Sequence, residues 1–314
     1  MRTSTATSRA DLYSRVTERV IADLEKGVRP WLKPWTAGNT VGRVGLPRRH
    51  NGVPYRGINV LVLWGEALDK GYASTIWMTF KQALDLGGHV RRGEHGSMIV
   101  YADRLIRTET DECGQDVERE IPFLKASSVF NVAQIDGLPA HYYADADQKA
   151  DKPEPIEAAE RFFSATGAII RHGGDQAYHS PGADVIQLPV PEAFSDAESY
   201  AATKAHELTH WTSHPQRLAR DFGGKRFGDV GYAREELVAE LGAAFLCADL
   251  GIALEPREDH AAYLGHWLRI LREDKRAIFA AAAHAQRAVD FLHGLQSERA
   301  ATTAHTVIAN LGAA

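Results

Sequence analysis

Cysteine is nearly absent from this 314-residue chain: Cys113 and Cys247 are the whole complement, at a separation that matches no metal-ligand spacing. That excludes a disulfide framework. Both thiols are expected to be reduced, Cys247 as a small core residue and Cys113 in an acidic loop. Long apolar runs are missing too. The stretch Ile58 to Trp64 is broken by Asn59 and is far shorter than the roughly 20 residues a bilayer requires, so no membrane partner is expected. The first ten residues are polar and hold no apolar core, so no secretory signal is expected there, and the cytoplasm is the expected compartment. No repeat or long low-complexity tract occurs. The apolar fraction of 44% and charged fraction of 25% suit a globular protein, and the length suffices for two ordinary domains.

The formal net charge of −5 conceals a division. Residues 1–110 carry 17 Lys/Arg against 10 Asp/Glu, residues 111–150 carry 3 against 8, and residues 151–314 carry 16 against 23. A basic first part joined to an acidic remainder suits an anionic partner for the first part. Solvated faces of like charge would give the same tally, so charge alone does not decide.

The chemistry-bearing motif is His206-Glu207-Leu208-Thr209-His210, an H-E-x-x-H pattern within a helical segment. Residues four apart share a helix face, so His206 and His210 can grip one metal ion. Glu207 is then the expected catalytic base towards a metal-bound water. A third ligand is expected from the apolar helix over Tyr232–Leu250, whose Glu236 and Glu240 are four apart. Glu236 is assigned to the metal. Glu240 is assigned one layer out, accepting the second ring N–H of a ligating histidine, and the reverse assignment fits the same spacing. His214 extends the stripe but would lie about 12 Å along the axis from His206, too far for a shared ion. Zn2+ is the expected metal, with Mn2+ or another divalent ion also suited, and the reaction class is peptide hydrolysis of gluzincin type. Tyr232, Tyr263 and His266 are candidates to polarise a substrate carbonyl.

Periodicity and breakers predict helices over 11–26 (capped by Asp11, ended by Gly27), 56–70 and 79–86, a hairpin within 90–107 turning at Gly-Glu-His-Gly, and a strand over 123–132. Residues 144–156 are polar and proline-punctuated and are expected to be a linker between domains at 1–143 and 157–314. Beyond it a helix, three short strands, the motif helix and further helices are expected. The fold class is therefore α+β with two domains, the second a small sheet preceding the H-E-x-x-H helix.

The first domain interleaves rings with cations. Four of the chain's six tryptophans fall within 31–77. Arg29, Trp31, Lys33, Trp35, Arg48, Arg49, Tyr55, Arg56, Lys81, Arg91 and Arg92 form the expected nucleic-acid surface. Rings stack on unpaired bases while cations follow phosphates, a combination suited to single-stranded DNA. Packing in a small core is the competing role for the rings, favoured for Trp64.

Several stretches carry a family resemblance: Asp11-Leu-Tyr-Ser-Arg-Val-Thr17, Arg29-Pro-Trp-Leu-Lys-Pro-Trp35, Asn51-Gly-Val-Pro-Tyr-Arg-Gly-Ile-Asn59, Trp77-Met-Thr-Phe-Lys-Gln82, Gly87-Gly-His-Val-Arg-Arg-Gly-Glu94 and Val129 through Pro139, followed by His206–Trp211 and Glu235–Leu250. Over nearly its whole length the chain resembles the ArdC family of plasmid antirestriction proteins and related conjugative primase N-terminal regions. The resemblance implies a single-stranded DNA-binding module fused to a zincin-like metallopeptidase domain. It also implies a role in shielding plasmid DNA from host restriction during conjugation. Two other functions fit the residues. One is a zinc-dependent protease acting on a host or plasmid protein such as a restriction component, with the DNA-binding domain used for targeting. The other is a metal that only holds the fold.

Overall fold

Each stripe of apolar residues in the N-terminal part finds a face to cover. The computed structural model describes residues 9–31, 45–110, 116–143, 155–223, 229–252 and 261–311. Lys33, Trp35, Cys113 and residues 144–154 of the expected linker lie outside the described residues. Helix α1 (Arg9–Glu25) buries Leu12, Val16, Ile21 and Leu24. It already runs through Asp11, which is therefore not its cap. Helix α2 (Ile58–Lys70) ends on Gly71 in the left-handed conformation, where glycine carries no Cβ penalty. Thr79 caps α3 (Phe80–Asp85) through a reciprocal pair with Gln82.

The strands correct one expectation. Strands β1 (Arg48–Arg49), β2 (Ile76–Met78), β4 (Ser97–Thr110) and β5 (Asp116–Asn131) form a sheet in the order β1-β2-β5-β4. The hairpin is β4–β5, antiparallel from Ser97 opposite Val129 to Thr110 opposite Asp116. Gly93–Gly96 is not its turn. That segment leads from β3 (His89–Val90), which pairs with β6 (Ile135–Asp136), into β4 in another sheet. Arg91 N–H donates to Gln134 O at 3.0 Å, and Gln134 Nε2 donates to Glu94 and to His95 O at 2.9 Å each. These bonds hold the turn against β6 rather than folding it onto its own strand.

The second domain opens with α4 (Pro155–Ala165) and a three-stranded sheet ordered β7-β9-β8, from β7 (Ile169–His172), β8 (Tyr178–Ser180) and β9 (Val185–Leu188). Strand β9 runs parallel to β7 and antiparallel to β8, leaving β8 at an edge. Helices α5 (Ala197–Trp211), α6 (Val230–Leu250), α7 (Ala261–Glu273) and α8 (Ala277–Leu311) follow. Helix α6, expected to be a buried amphipathic helix, is buried on every side from Glu236 and Leu237 through Phe245 to Ala248. It packs against α5, α7 and α8. A helix enclosed in this way has no solvent stripe to keep polar.

The two domains share one continuous core. Trp64 of α2 packs on Phe245 of α6 with ring centroids 5.9 Å apart, and Trp31 packs edge-on against Trp267 of α7 at 6.2 Å. Thr17 Oγ1 of α1 donates to Lys275 O at 2.7 Å. A smaller cluster around Met78, Val132 and Ile135 sits under α3. No described helix is long and apolar enough to cross a membrane.

Candidate metal centre

Helix α5 starts at Asp196, whose side chain accepts the Ser199 N–H at 2.6 Å, and it ends at Trp211. Its turns place His206 and His210 on one face, their rings 4.9 Å apart. Helix α6 lies close alongside because Gly242 faces Thr209 across the contact. That approach brings Glu236 between the histidines. Its Oε2 is 3.5 Å from His206 Nε2 and its Oε1 is 3.5 Å from His210 Nε2. Among the described residues one group could hold a metal ion, His206, His210 and Glu236, with ligand atoms all within 4.8 Å of one another. Two imidazole nitrogens and a carboxylate oxygen facing one point fit a Zn2+ or Mn2+ donor set. Glu207, next to His206, is 3% exposed. His214 lies beyond the helix end, its Nδ1 accepting the Gln216 N–H at 3.2 Å, apart from this group.

The other nitrogen of His210 is hydrogen-bonded to a second carboxylate, and that of His206 has one nearby. His210 Nδ1 is 3.1 Å from Glu235 Oε1. Arg220 grips that carboxylate through Nε to Oε2 at 2.7 Å and Nη2 to Oε1 at 2.6 Å, and it donates to Thr209 O at 2.9 Å. His206 Nδ1 stands 3.9 Å from Glu240 Oε2. Glu240 thus stands near His206 but beyond hydrogen-bond distance, and the contact of the kind expected of it is made by Glu235 to His210. Nothing in the sequence singles out Glu235, because its partner Arg220 is 15 residues away in a connecting segment.

The electrostatics follow from burial and crowding. Burial opposes ionisation of Glu236, but the charges of His210 and His206 and their hydrogen bonds outweigh it, holding the carboxyl far below the usual range. Burial likewise opposes protonation of His210, yet Glu236 and Glu235 raise its pKa well above 6.5 when no metal competes. Glu235 is disfavoured by burial and rescued by Arg220, with a lowered pKa as the result. Burial drives His179 of β8 down to about 4, and the His210 and Arg217 charges help, so its ring is neutral at pH 7. Tyr232 OH is 3.4 Å from Tyr263 OH. Burial first, then Tyr263 and Glu236, push the Tyr232 phenol far above its normal value, so it stays a hydrogen-bond donor. His266 is half-buried on α7, three residues from Tyr263.

The expected DNA surface is redistributed. Trp31 is fully buried and Tyr55 is 5% exposed, so neither ring is offered to a base. Both are claimed by the shared core, which outcompetes solvent for large rings. Trp64 and Trp77 are buried as well. Arg29 turns inwards, its Nη1 3.5 Å from Glu240 Oε1. Arg49, Arg56, Lys81, Arg91 and Arg92 are exposed and Arg48 is half-buried. Arg48 donates to Gly52 O at 3.0 Å and Arg49 lies over the Tyr55 ring. Arg56 pairs with Asp290, Lys81 with Asp85, and Arg91 with Glu94 and Asp136. The large rings left open include Phe80 at 52% and Tyr101 at 53%.

Comparison with known proteins matches both halves. Residues 10–130 match the N-terminal domain of anti-restriction factor ArdC, and residues 157–284 match a zincin-like metallopeptidase. Uncharacterized protein y4eC of Sinorhizobium fredii is 40% identical over 296 residues, covering 92% of this chain and 93% of that protein. DNA primase TraC of Escherichia coli is 39% identical over 302 residues, 91% of this chain but 27% of the primase. The metal-free crystal structure of antirestriction ArdC protein from the R388 plasmid is 46% identical, with a TM-score of 0.76 over 92% of this chain and 98% of that one. Its Mn(II)-bound structure is 45% identical, with a TM-score of 0.72 over 91% and 98%.

Proposed function

The chain belongs to the ArdC antirestriction family, and we propose that it binds single-stranded plasmid DNA during conjugative entry, protects it from host restriction, and carries a metallopeptidase centre at His206, His210 and Glu236. The observation carrying this reading is the convergence of those three side chains, within 4.8 Å, in a chain whose family is antirestriction. A divalent metal suits the zincin-like domain and the donor set, and the R388 relative has been crystallised with Mn(II). Zn2+ is the ion we assign, on the preference of two imidazoles and a carboxylate.

Bound there, the ion would lower the pKa of a water towards neutrality and polarise a peptide carbonyl. The chain's own residues do the rest. Glu207 takes the proton of the attacking water and passes it to the leaving amine. Glu235, clamped by Arg220, keeps His210 in one orientation. Tyr232, held protonated beside Glu236, is the group we assign to donate to the developing oxyanion.

On the DNA side, the exposed cations Arg49, Arg56, Lys81, Arg91 and Arg92 support a phosphate-following surface. Phe80 beside Lys81 and Tyr101 on β4 supply rings for stacking on unpaired bases. A restriction component is a candidate substrate for the peptidase. The deciding experiment is plasmid transfer into restricting and non-restricting recipients with wild type and Glu207→Gln. Equal transfer with and without the protein into the restricting host would sink the antirestriction reading. Protection lost only in Glu207→Gln would make proteolysis the main activity.

A further inference from the structure

The two histidine–carboxylate couples are each held by an arginine, but the arginines come from different domains. Arg220, which secures Glu235 behind His210, lies between α5 and α6. The carboxylate behind His206 is secured from the other end of the chain. Trp31 Nε1–H donates to Glu240 Oε1 at 3.3 Å, across 209 residues of sequence. Arg29 Nη1 stands 3.5 Å from the same oxygen. The remaining oxygen, Oε2, is the one 3.9 Å from His206 Nδ1. Glu240 is 3% exposed, Trp31 0% and the Arg29 side chain 15%. A carboxylate removed from water to that degree needs a donor and an opposite charge; in the segment after α1 the Trp31 indole supplies the first and the Arg29 guanidinium the second.

We infer that Arg29 and Trp31 are positioning residues of the metal centre, so that the N-terminal domain completes the site in the metallopeptidase domain. By fixing Oε1 they turn Oε2 towards His206 Nδ1, which orients the ring and presents Nε2 beside Glu236. Carboxylates behind metal-ligating histidines commonly contribute about 10–100-fold to metal affinity. Here the residues holding one of them lie in the part matched to the ArdC N-terminal domain. Metal occupancy and the placement of the 29–31 segment are then linked, and whatever moves that segment shifts the affinity of the site.

This rests on the metal-centre reading proposed above, and the test separates the two. Zn(II) and Mn(II) affinities are measured by chelator competition on the full chain for wild type, Arg29→Met, Arg29→Lys, Trp31→Phe and Glu240→Gln. Metal-free melting temperature is recorded for each, and affinity is referred to folded protein. The expected result is about tenfold weaker binding for Arg29→Met, Trp31→Phe and Glu240→Gln, with Arg29→Lys partly restored. Trp31→Phe combined with Glu240→Gln should lose no more than either alone. A purely structural role would lower the melting temperature and leave the affinity of the folded protein unchanged, and that result overturns the inference. If Trp31→Phe fails to fold, unchanged affinity in Arg29→Met and Glu240→Gln is sufficient to overturn it. Wild type that binds neither ion would defeat the metal-centre reading instead.

Discussion

A methyl group at position 242 would sit 2.5 Å from Thr209 Cγ2 and 2.8 Å from its Oγ1. Gly242 is on α6 and Thr209 is inside the H-E-x-x-H motif, so this contact sets how closely the two ligand-bearing helices approach. Gly242→Ala should gain roughly 1 kcal/mol in helix propensity and lose about 1–3 kcal/mol to overpacking against a fully buried threonine. The expected outcome is a lower melting temperature together with weaker divalent-metal binding. Adding Thr209→Ala should restore metal binding, because it removes both clashing atoms. A Gly242→Ala protein with unaltered metal affinity would show that helix spacing does not set the site.

Glu207→Gln keeps the size and position of the side chain but cannot accept the water's proton. Metal content by atomic emission should match wild type, while peptide cleavage falls by at least about 100-fold, the usual worth of a general base. Undiminished cleavage would remove Glu207 from the mechanism.

In the metal-free protein His210 has a pKa raised above its unfolded value of 6.5 by Glu236 and Glu235, against the opposing effect of burial. The stability from this protonated histidine is fully present below about pH 6.5 and is lost as pH rises through the raised folded value. Glu236, depressed below 4.5, contributes stability that is fully present above about pH 4.5 and is lost progressively as pH falls from there towards the depressed folded value. Metal-free protein should therefore melt at lower temperature as pH rises above about 6.5. Metal-loaded protein should show the opposite trend, since a proton and the ion compete for the same ring nitrogen. Parallel melting profiles with and without metal would contradict the assignment of His210.

Arg217 ties the end of α5 to the small sheet. Its Nε donates to Trp211 O at 2.6 Å, its guanidinium lies 3.8 Å over the Trp211 ring, and it pairs with Asp184 in the β8–β9 turn. Asp184 is about a third exposed, so solvent screens part of the pairing. Arg217→Ala should cost about 1–2 kcal/mol, read as a shift of the denaturation midpoint at constant slope.

Single-stranded DNA binding by the exposed cations should weaken steeply with salt. For Arg49→Ala and Arg92→Ala the slope of log affinity against log salt should fall by about 0.7 for each phosphate that is no longer neutralised. Fluorescence anisotropy on single-stranded and duplex oligonucleotides reads this directly. Duplex affinity equal to or above that for single strands would count against stacking on Phe80 and Tyr101.

What could be read from the residues alone was whatever is encoded at short range. His206 and His210 are one helical turn apart, as are Glu236 and Glu240, so a period of about 3.6 puts each pair on a face before any packing is known. The ends of α2 and α3, at Gly71 and Thr79, are set by their own glycine and hydroxyl. The tertiary structure alone decided which partners arrive from afar. Gly93–Gly96 looks like a hairpin turn locally, yet Gln134, about 40 residues on, holds it against β6. Trp31 reads as a stacking ring in a basic segment, but the core between the two domains takes it in, because burying an indole against Trp267 and Glu240 outweighs leaving it in water. Local sequence fixes backbone conformation and side-chain direction; only the closed chain fixes which buried charges meet, since partners such as Arg29 and Glu240 come from opposite ends of the sequence.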